Sequence, residues 1–207
     1  TNGDVLACVS YPGYDNNRLA NTMDSEYYNK LLTDSARPFY NNATQEKTAP
    51  GSTYKPLVAI AGLTEGVINT ESTLPCSGVY KKVEPNPKCW AYPNSHGSLT
   101  VAQAIEHSCN NFFYEVGYRM SLKDQGIANI ASDTADGDKT AQYYSSDLGT
   151  DTLKKYAIQF GLSETSGIEI PEADPQISDE SSVPSSIGQG TNNYTTSQLA
   201  RYITTVA

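Results

Sequence analysis

The sequence predicts an α+β fold, mostly helical, with an incomplete antiparallel sheet. Apolar residues recur at helical spacing in residues 57–63, 100–105, 112–116, 151–160 and 196–206, the pattern of amphipathic or buried helices. Only Val5-Leu6-Ala7-Cys8-Val9 reads as a good strand, and one strand cannot build a sheet. Long connections rich in Ser, Thr, Asn and Gly separate these segments.

In chain order, residues 1–14 form that strand and a turn, with Cys8 as a buried strand residue. Residues 24–32 form a short helix whose apolar side is Tyr27, Tyr28, Leu31 and Leu32. Residues 41–50 are a loop leading into Ser52. The next helix buries Leu57, Val58, Ile60, Ala61 and Leu63, and Gly66 supplies a C-terminal stop. Pro56 constrains its start. In a helix interior it would cost about 3 kcal/mol, so the helix cannot begin much before Ser52. Residues 70–98 form an irregular excursion rich in Pro, Ser and Asn, bordering a cleft. Thr100 and Gln103 fit a capping box ahead of Val101, Ala104 and Ile105, and a second apolar run starts at Phe112-Phe113. The polar stretch 132–146 reads as a surface insertion. Gly161 stops a helix over 151–160, and residues 196–206 form another. No internal repeat is visible, and the length of 207 residues suits one domain or part of one.

Chemistry concentrates in Ala49-Pro50-Gly51-Ser52-Thr53-Tyr54-Lys55-Pro56. Residues at i and i+3 share a helical face, so Ser52 and Lys55 lie side by side at a helix start. A serine becomes a nucleophile when a base accepts its proton, and a desolvated lysine can be that base. The competing reading makes Ser52 a simple N-cap. Ser108-Cys109-Asn110 falls at a break between two helical patterns, where side chains project from a rigid support. Here too a plain capping turn is the alternative, since Ser and Asn both favour caps.

Together, Ser52-Thr53-Tyr54-Lys55 and Ser108-Cys109-Asn110 resemble two motifs of the penicillin-binding protein transpeptidases, whose signature is Ser-x-x-Lys, Ser-x-Asn and Lys-Thr-Gly. Trp90 and His96-Gly97 ahead of the second motif, Phe160-Gly161-Leu162, Gly167-Ile168, Ser186-Ile187-Gly188-Gln189-Gly190 and Gln198-Leu199-Ala200 also match that family, in the monofunctional class B style. The resemblance covers nearly the whole chain. It implies a serine enzyme that cross-links peptidoglycan stem peptides through an acyl-serine intermediate and is acylated by β-lactams, without a cofactor. Ser52 would be the nucleophile, Lys55 its base, Ser108 a proton relay to the departing D-alanine, and Asn110 a holder of Lys55 and the substrate amide. Trp90 would line the cleft, or else pack in the core.

The sequence departs from the family in lacking Lys-Thr-Gly; Lys47-Thr48-Ala49 and Lys139-Thr140-Ala141 come nearest. The resemblance therefore implies a partial domain, residues 1–207, without the first strand and without the C-terminal strands that bear the third motif. Such a piece is expected to be close to inactive and prone to self-association through its exposed edge. The family also implies an N-terminal membrane anchor, absent from these residues, and a domain on the extracytoplasmic side of the cell membrane. A serine β-lactamase would need a deacylating glutamate, for which Glu169 and Glu172 are the candidates. A β-lactam sensor or degenerate binding module is the other alternative.

The net charge of −9 argues against nucleic acid or an anionic membrane surface as partner. Four cysteines are present. In the compartment the resemblance implies, Cys76 and Cys89 could be bridged, closing a loop of about fifteen residues worth roughly 3 kcal/mol. Cys109 reads as a packing residue. No metal site is expected, because the cysteines do not come in close pairs and His96 and His107 read as loop and helix residues.

Overall fold

A computed structural model describes residues 3–122 and 141–207. The insertion expected at 132–146 therefore lies mostly outside the described residues. Among those described, the helices are α1 (Ser25–Thr33), α2 (Lys55–Thr64), α3 (Val101–Glu106), α4 (Asn110–Met120), α5 (Ser146–Gln159), α6 (Ser182–Ser185) and α7 (Thr196–Val206). The strands are β1 (Lys47–Thr48), β2 (Leu74–Cys76), β3 (Gly97–Leu99) and β4 (Tyr194–Thr195). β1 pairs antiparallel with β4, and β2 with β3.

The helix ends follow from local chemistry. The Asp24 carboxylate accepts from the Tyr27 amide and caps α1. Thr100 with Gln103, and Thr195 with Gln198, close full capping boxes on α3 and α7. Pro56 sits at the second position of α2, where its missing N–H costs nothing. Ser52 is not part of α2, which begins three residues later at Lys55. It belongs to a 3₁₀ turn, Gly51–Tyr54, that feeds into α2.

α4 is the central rod. It packs on α2, α5, α6 and β2, and Phe112, Phe113 and Val116 are fully buried. Burying each phenylalanine stabilises the fold by about 1.5–3 kcal/mol. Leu57, Val58 and Ala61 of α2 and Leu153 and Ala157 of α5 complete this core. Ile60 and Leu63, expected inside, are 38% and 37% exposed, because the neighbours of α2 cover a narrower arc than its apolar residues occupy.

The expected strand at Val5–Val9 is not formed. The segment has no regular secondary structure and pairs with no described strand, with Val5, Leu6 and Val9 exposed. Cys8, expected to be buried, is exposed with them. Strand propensity measures fit to a paired, half-buried surface, and no described segment offers this one an edge.

Candidate active site and a thiol–imidazole cluster

α2 and the α3–α4 turn bring together the four residues singled out by spacing. Lys55 is 1% exposed. Its Nζ donates to the Ser108 carbonyl at 2.7 Å, to Ser108 Oγ at 3.0 Å and to Asn110 Oδ1 at 2.7 Å. Ser108 Oγ in turn donates to Ser52 Oγ at 2.8 Å. These bonds use all three donors of an ammonium. Among the described residues no hydrogen bond joins Lys55 to Ser52 directly; Ser108 stands between them. Burial lowers Lys55 from its ordinary value to about 8, against a partial opposing effect of Cys109 and Cys89. A lysine so placed can be emptied of its proton near neutral pH and act as a base.

Ser108 holds its place at a conformational cost. Its φ is +50°, the left-handed region that disfavours a side chain by about 1–2 kcal/mol. The turn is a Schellman motif at the end of α3. The Ser108 amide donates to the Ile105 carbonyl at 3.0 Å and the Cys109 amide to the Ala104 carbonyl at 2.9 Å. Glycine usually fills this left-handed position; a hydroxyl-bearing residue fills it here. Trp90 helps hold it. The ring is 64% exposed, so it is not a core residue, and its Nε1 donates to the carbonyls of Ser108 at 3.1 Å and His107 at 3.2 Å.

Spacing gave no role to Gly188, though it lies in the Ser186-Ile187-Gly188-Gln189-Gly190 segment. Its carbonyl accepts from the Gly51 amide at 3.0 Å. A Cβ on Gly188 would stand 2.3 Å from the Gly51 carbonyl oxygen and 2.8 Å from Tyr54 Cβ. The loop can press on the Ser52 turn only without a side chain there. From the other side, the Tyr202 hydroxyl of α7 donates to the Thr53 carbonyl at 3.0 Å.

Glu172 lies outside this hydrogen-bonded chain. Its carboxylate accepts from the Ser166 amide and hydroxyl and from the Thr195 and Ser197 hydroxyls. Those donors leave it clasping a loop to α7, and Glu169 is exposed.

Cys76 and Cys89 are free thiols, not bridged, as are Cys8 and Cys109. Cys76, Cys89 and Cys109, not closely paired along the chain, are brought together with His96 by the fold. β2 and β3 pair Cys76 with Gly97, which sets His96 beside Cys76. A bridge between Val79 and Lys88 returns the chain so that Cys89 arrives at the same point. Cys109, the N-cap of α4, closes the set. The ligand atoms of Cys76, Cys89, His96 and Cys109 all lie within 4.8 Å of one another. His96 Nδ1 is 3.5 Å from Cys76 Sγ and 3.6 Å from Cys89 Sγ. Zinc bonds of about 2.3 Å to sulfur and 2.1 Å to nitrogen, at the tetrahedral angle, separate the two ligand atoms by about 3.6 Å. The residues fit a structural Cys₃His zinc centre. Burial alone would raise Cys89, but the amides of Ala91, Asn111 and Asn110 and the Cys76 thiol bring it below the ordinary thiol value. Amides directed at a sulfur are the outer shell a metal thiolate uses. Burial pushes Cys109 up to about 12, and a bound dication would oppose that rise by favouring the thiolate.

With this geometry in place, known proteins give it context. The model of the penicillin binding protein transpeptidase domain matches residues 1–207. The peptidoglycan D,D-transpeptidase MrdA of Haemophilus influenzae is 34% identical over 179 residues, covering 81% of this chain and 22% of the relative. MrdA of Escherichia coli is 32% identical over 181 residues, covering 82% and 23%. The chain thus spans less than a quarter of the length of these curated relatives. Among solved structures, Pseudomonas aeruginosa PBP2 in complex with WCK 5153 superposes with a TM-score of 0.76 at 26% identity, over 97% of this chain and 43% of that one.

Proposed function

Because the chain belongs to the penicillin binding protein transpeptidase domain family, we propose that it is the nucleophile-bearing part of a serine D,D-transpeptidase that cross-links peptidoglycan stem peptides. The observation that carries this is the hydrogen-bonded chain from Lys55 through Ser108 to Ser52. When Lys55 is neutral, the chain can reverse direction: Ser52 donates to Ser108 Oγ, and Ser108 donates to Lys55 Nζ. Ser52 Oγ then attacks the carbonyl of the penultimate D-alanine, and its proton ends on Lys55. Collapse of the tetrahedral intermediate returns a proton through Ser108 to the departing D-alanine. Asn110 keeps Lys55 in place and offers its amide to the substrate. The Ser52 amide supplies one oxyanion donor. The same chemistry opens a β-lactam and leaves a penicilloyl ester on Ser52.

The sequence contains no Lys-Thr-Gly, the element expected to bring the second oxyanion donor and the contacts to the substrate carboxylate. Loss of one oxyanion donor costs roughly 3–4 kcal/mol of transition-state stabilisation. We therefore infer that residues 1–207 alone are close to inactive, and that the domain is completed by strands beyond these residues. On the family's pattern it works outside the cytoplasmic membrane; no helix of the described residues is long and apolar enough to cross one. Fluorescent penicillin tests both statements. A longer protein carrying this segment and a Lys-Thr-Gly strand is labelled on Ser52 and loses the label in Ser52→Ala. Labelling of the 207-residue chain at ordinary concentrations contradicts the inactivity, and no labelling of the longer protein contradicts the function. Glu172, held in its own network, gives no support to a β-lactamase, which rapid nitrocefin turnover would reveal.

A second proposal concerns the cluster: Cys76, Cys89, His96 and Cys109 bind zinc as a structural centre under the Ser108 wall. Zinc added to the metal-free chain, followed by calorimetry, should show one ion bound and a raised melting temperature. Binding unchanged in Cys76→Ser and Cys89→Ser variants overturns it.

A further inference from the structure

We propose that the thiols of Cys76 and Cys89 are an oxidation site, and that their conversion to a disulfide by a peroxide loosens the Ser108-Cys109-Asn110 wall of the active site. The inference builds on the zinc reading, since the same sulfurs serve both states.

Three thiols and an imidazole within 4.8 Å of one another are more than packing needs, and a compartment outside the cytoplasm permits disulfides. Cys76 and Cys89 are the pair placed to react. They stand on the two arms of one hairpin-like excursion, tied by the Val79–Lys88 bridge, by the Tyr80 amide to the Pro87 carbonyl at 2.8 Å and by the Cys89 amide to the Gly78 carbonyl at 2.9 Å. Arms joined in this way can close by a small shift. Cys109, by contrast, is fixed at the start of the buried rod α4. In this step the Cys89 sulfur, within 4.8 Å of the other ligand atoms of the cluster, is the nucleophile. It attacks one peroxide oxygen, the O–O bond breaks and hydroxide leaves, giving a sulfenic acid. Cys76 sulfur then displaces that hydroxyl as water. The balance is two thiols and one peroxide to one disulfide and two waters.

Contacts lead from these sulfurs to the catalytic wall. Both sulfurs touch His96 Nδ1, at 3.5 and 3.6 Å. The His96 ring meets Trp90 edge-on, with centroids 5.1 Å apart, and Trp90 Nε1 holds the Ser108 carbonyl at 3.1 Å. That carbonyl also receives Lys55. Ser108 is in a left-handed conformation that persists only while its surroundings enforce it. A disulfide draws the two sulfurs together and away from His96, and it leaves only His96 and Cys109 to hold an ion. A bound zinc ion masks the same sulfurs, so zinc should protect the site.

The test uses the 207-residue chain with Cys8→Ser, which removes the exposed thiol. The probes are hydrogen peroxide and zinc alone, and the single tryptophan, Trp90, is the reporter. Expected for the metal-free chain are loss of two hydrogens in intact mass, a Cys76–Cys89 linkage in the peptide map, and a shift of Trp90 emission that dithiothreitol reverses. Prior loading with zinc should slow the reaction at least about tenfold, as masking of a thiolate requires. Cys109→Ser should still form the link, and Cys89→Ser should not, which guards against a variant that simply misfolds. The proposal is overturned by an oxidised chain without this linkage, by a linkage that leaves Trp90 emission unmoved, or by a rate indifferent to bound zinc. Failure of zinc to bind before oxidant is added overturns the metal reading alone; linkage and emission then decide the oxidation site. In the longer protein the same treatment should lower acylation of Ser52 at least about tenfold, the scale of a small misplacement of catalytic groups, and reduction should restore it.

Discussion

Lys55 is a lysine buried to 1% exposure whose donors are all committed within the site. Its pKa, lowered to about 8 by burial, has two consequences of definite sign. The protonated form is penalised in the folded state relative to the unfolded chain, on the order of 3 kcal/mol at neutral pH. That penalty is fully present below about pH 8 and fades as pH rises towards the unfolded value. The stability of the wild type relative to Lys55→Met should therefore increase between pH 8 and 10, as denaturant melts at stepped pH would record; a constant difference contradicts a depressed Lys55. In the longer protein, acylation should rise with pH through about 8 as the base empties. Ser108 carries a different tension, since its left-handed turn suits glycine while the proposed relay needs its hydroxyl. Ser108→Gly should raise the melting temperature while Ser108→Ala does not, and both should slow acylation by about 10²–10⁴-fold, the usual contribution of a positioned proton relay. Equal melting temperatures in the two variants would mean that the turn is unstrained.

At the scale of elements, the site is a junction. The 3₁₀ turn before α2 presents Ser52, the Schellman turn between α3 and α4 presents Ser108 and Asn110, and the loop after α6 braces the first turn through Gly188. Gly188→Ala should destabilise by about 1–3 kcal/mol, because the obstructing atoms are backbone and must move. It should also slow acylation of Ser52 although no catalytic group has changed. Normal acylation in a folded Gly188→Ala protein would show that the loop does not set the turn. Much of this was legible in sequence. Pro56 located the start of α2, and Thr100 with Gln103 announced α3. Spacing gave no sign of β2 and β3, which are three residues each and owe their existence to pairing with each other rather than to propensity.

For the whole molecule, the helical body is well buried around α4, while the segment at Val5–Val9 is not. Val5 is 64% exposed, Leu6 95% and Val9 82%, and the segment's backbone pairs with no described strand. An unpaired apolar edge is a template for another chain. The 207-residue chain should self-associate as concentration rises, and Leu6→Lys should reduce this; a monomeric mass by light scattering across the range contradicts the expectation. The local expectation failed here for the same reason the small strands were missed. A strand is a relation between segments, and one segment cannot state it.

By itself the sequence located most of the helices, the Thr100–Gln103 capping box and the candidates Ser52, Lys55, Ser108 and Asn110, because helical periodicity and motif spacing are both local properties. Tertiary structure decided the rest. It inserted Ser108 between Lys55 and Ser52, turned Trp90 from a packing candidate into a tether for the Ser108 carbonyl, and gave Gly188 its task. It also gathered Cys76, Cys89, His96 and Cys109 into one cluster. Their separations along the chain concealed that cluster, since a metal-binding set is defined by distances in space, and those were fixed only when two short strands and the end of a helix met.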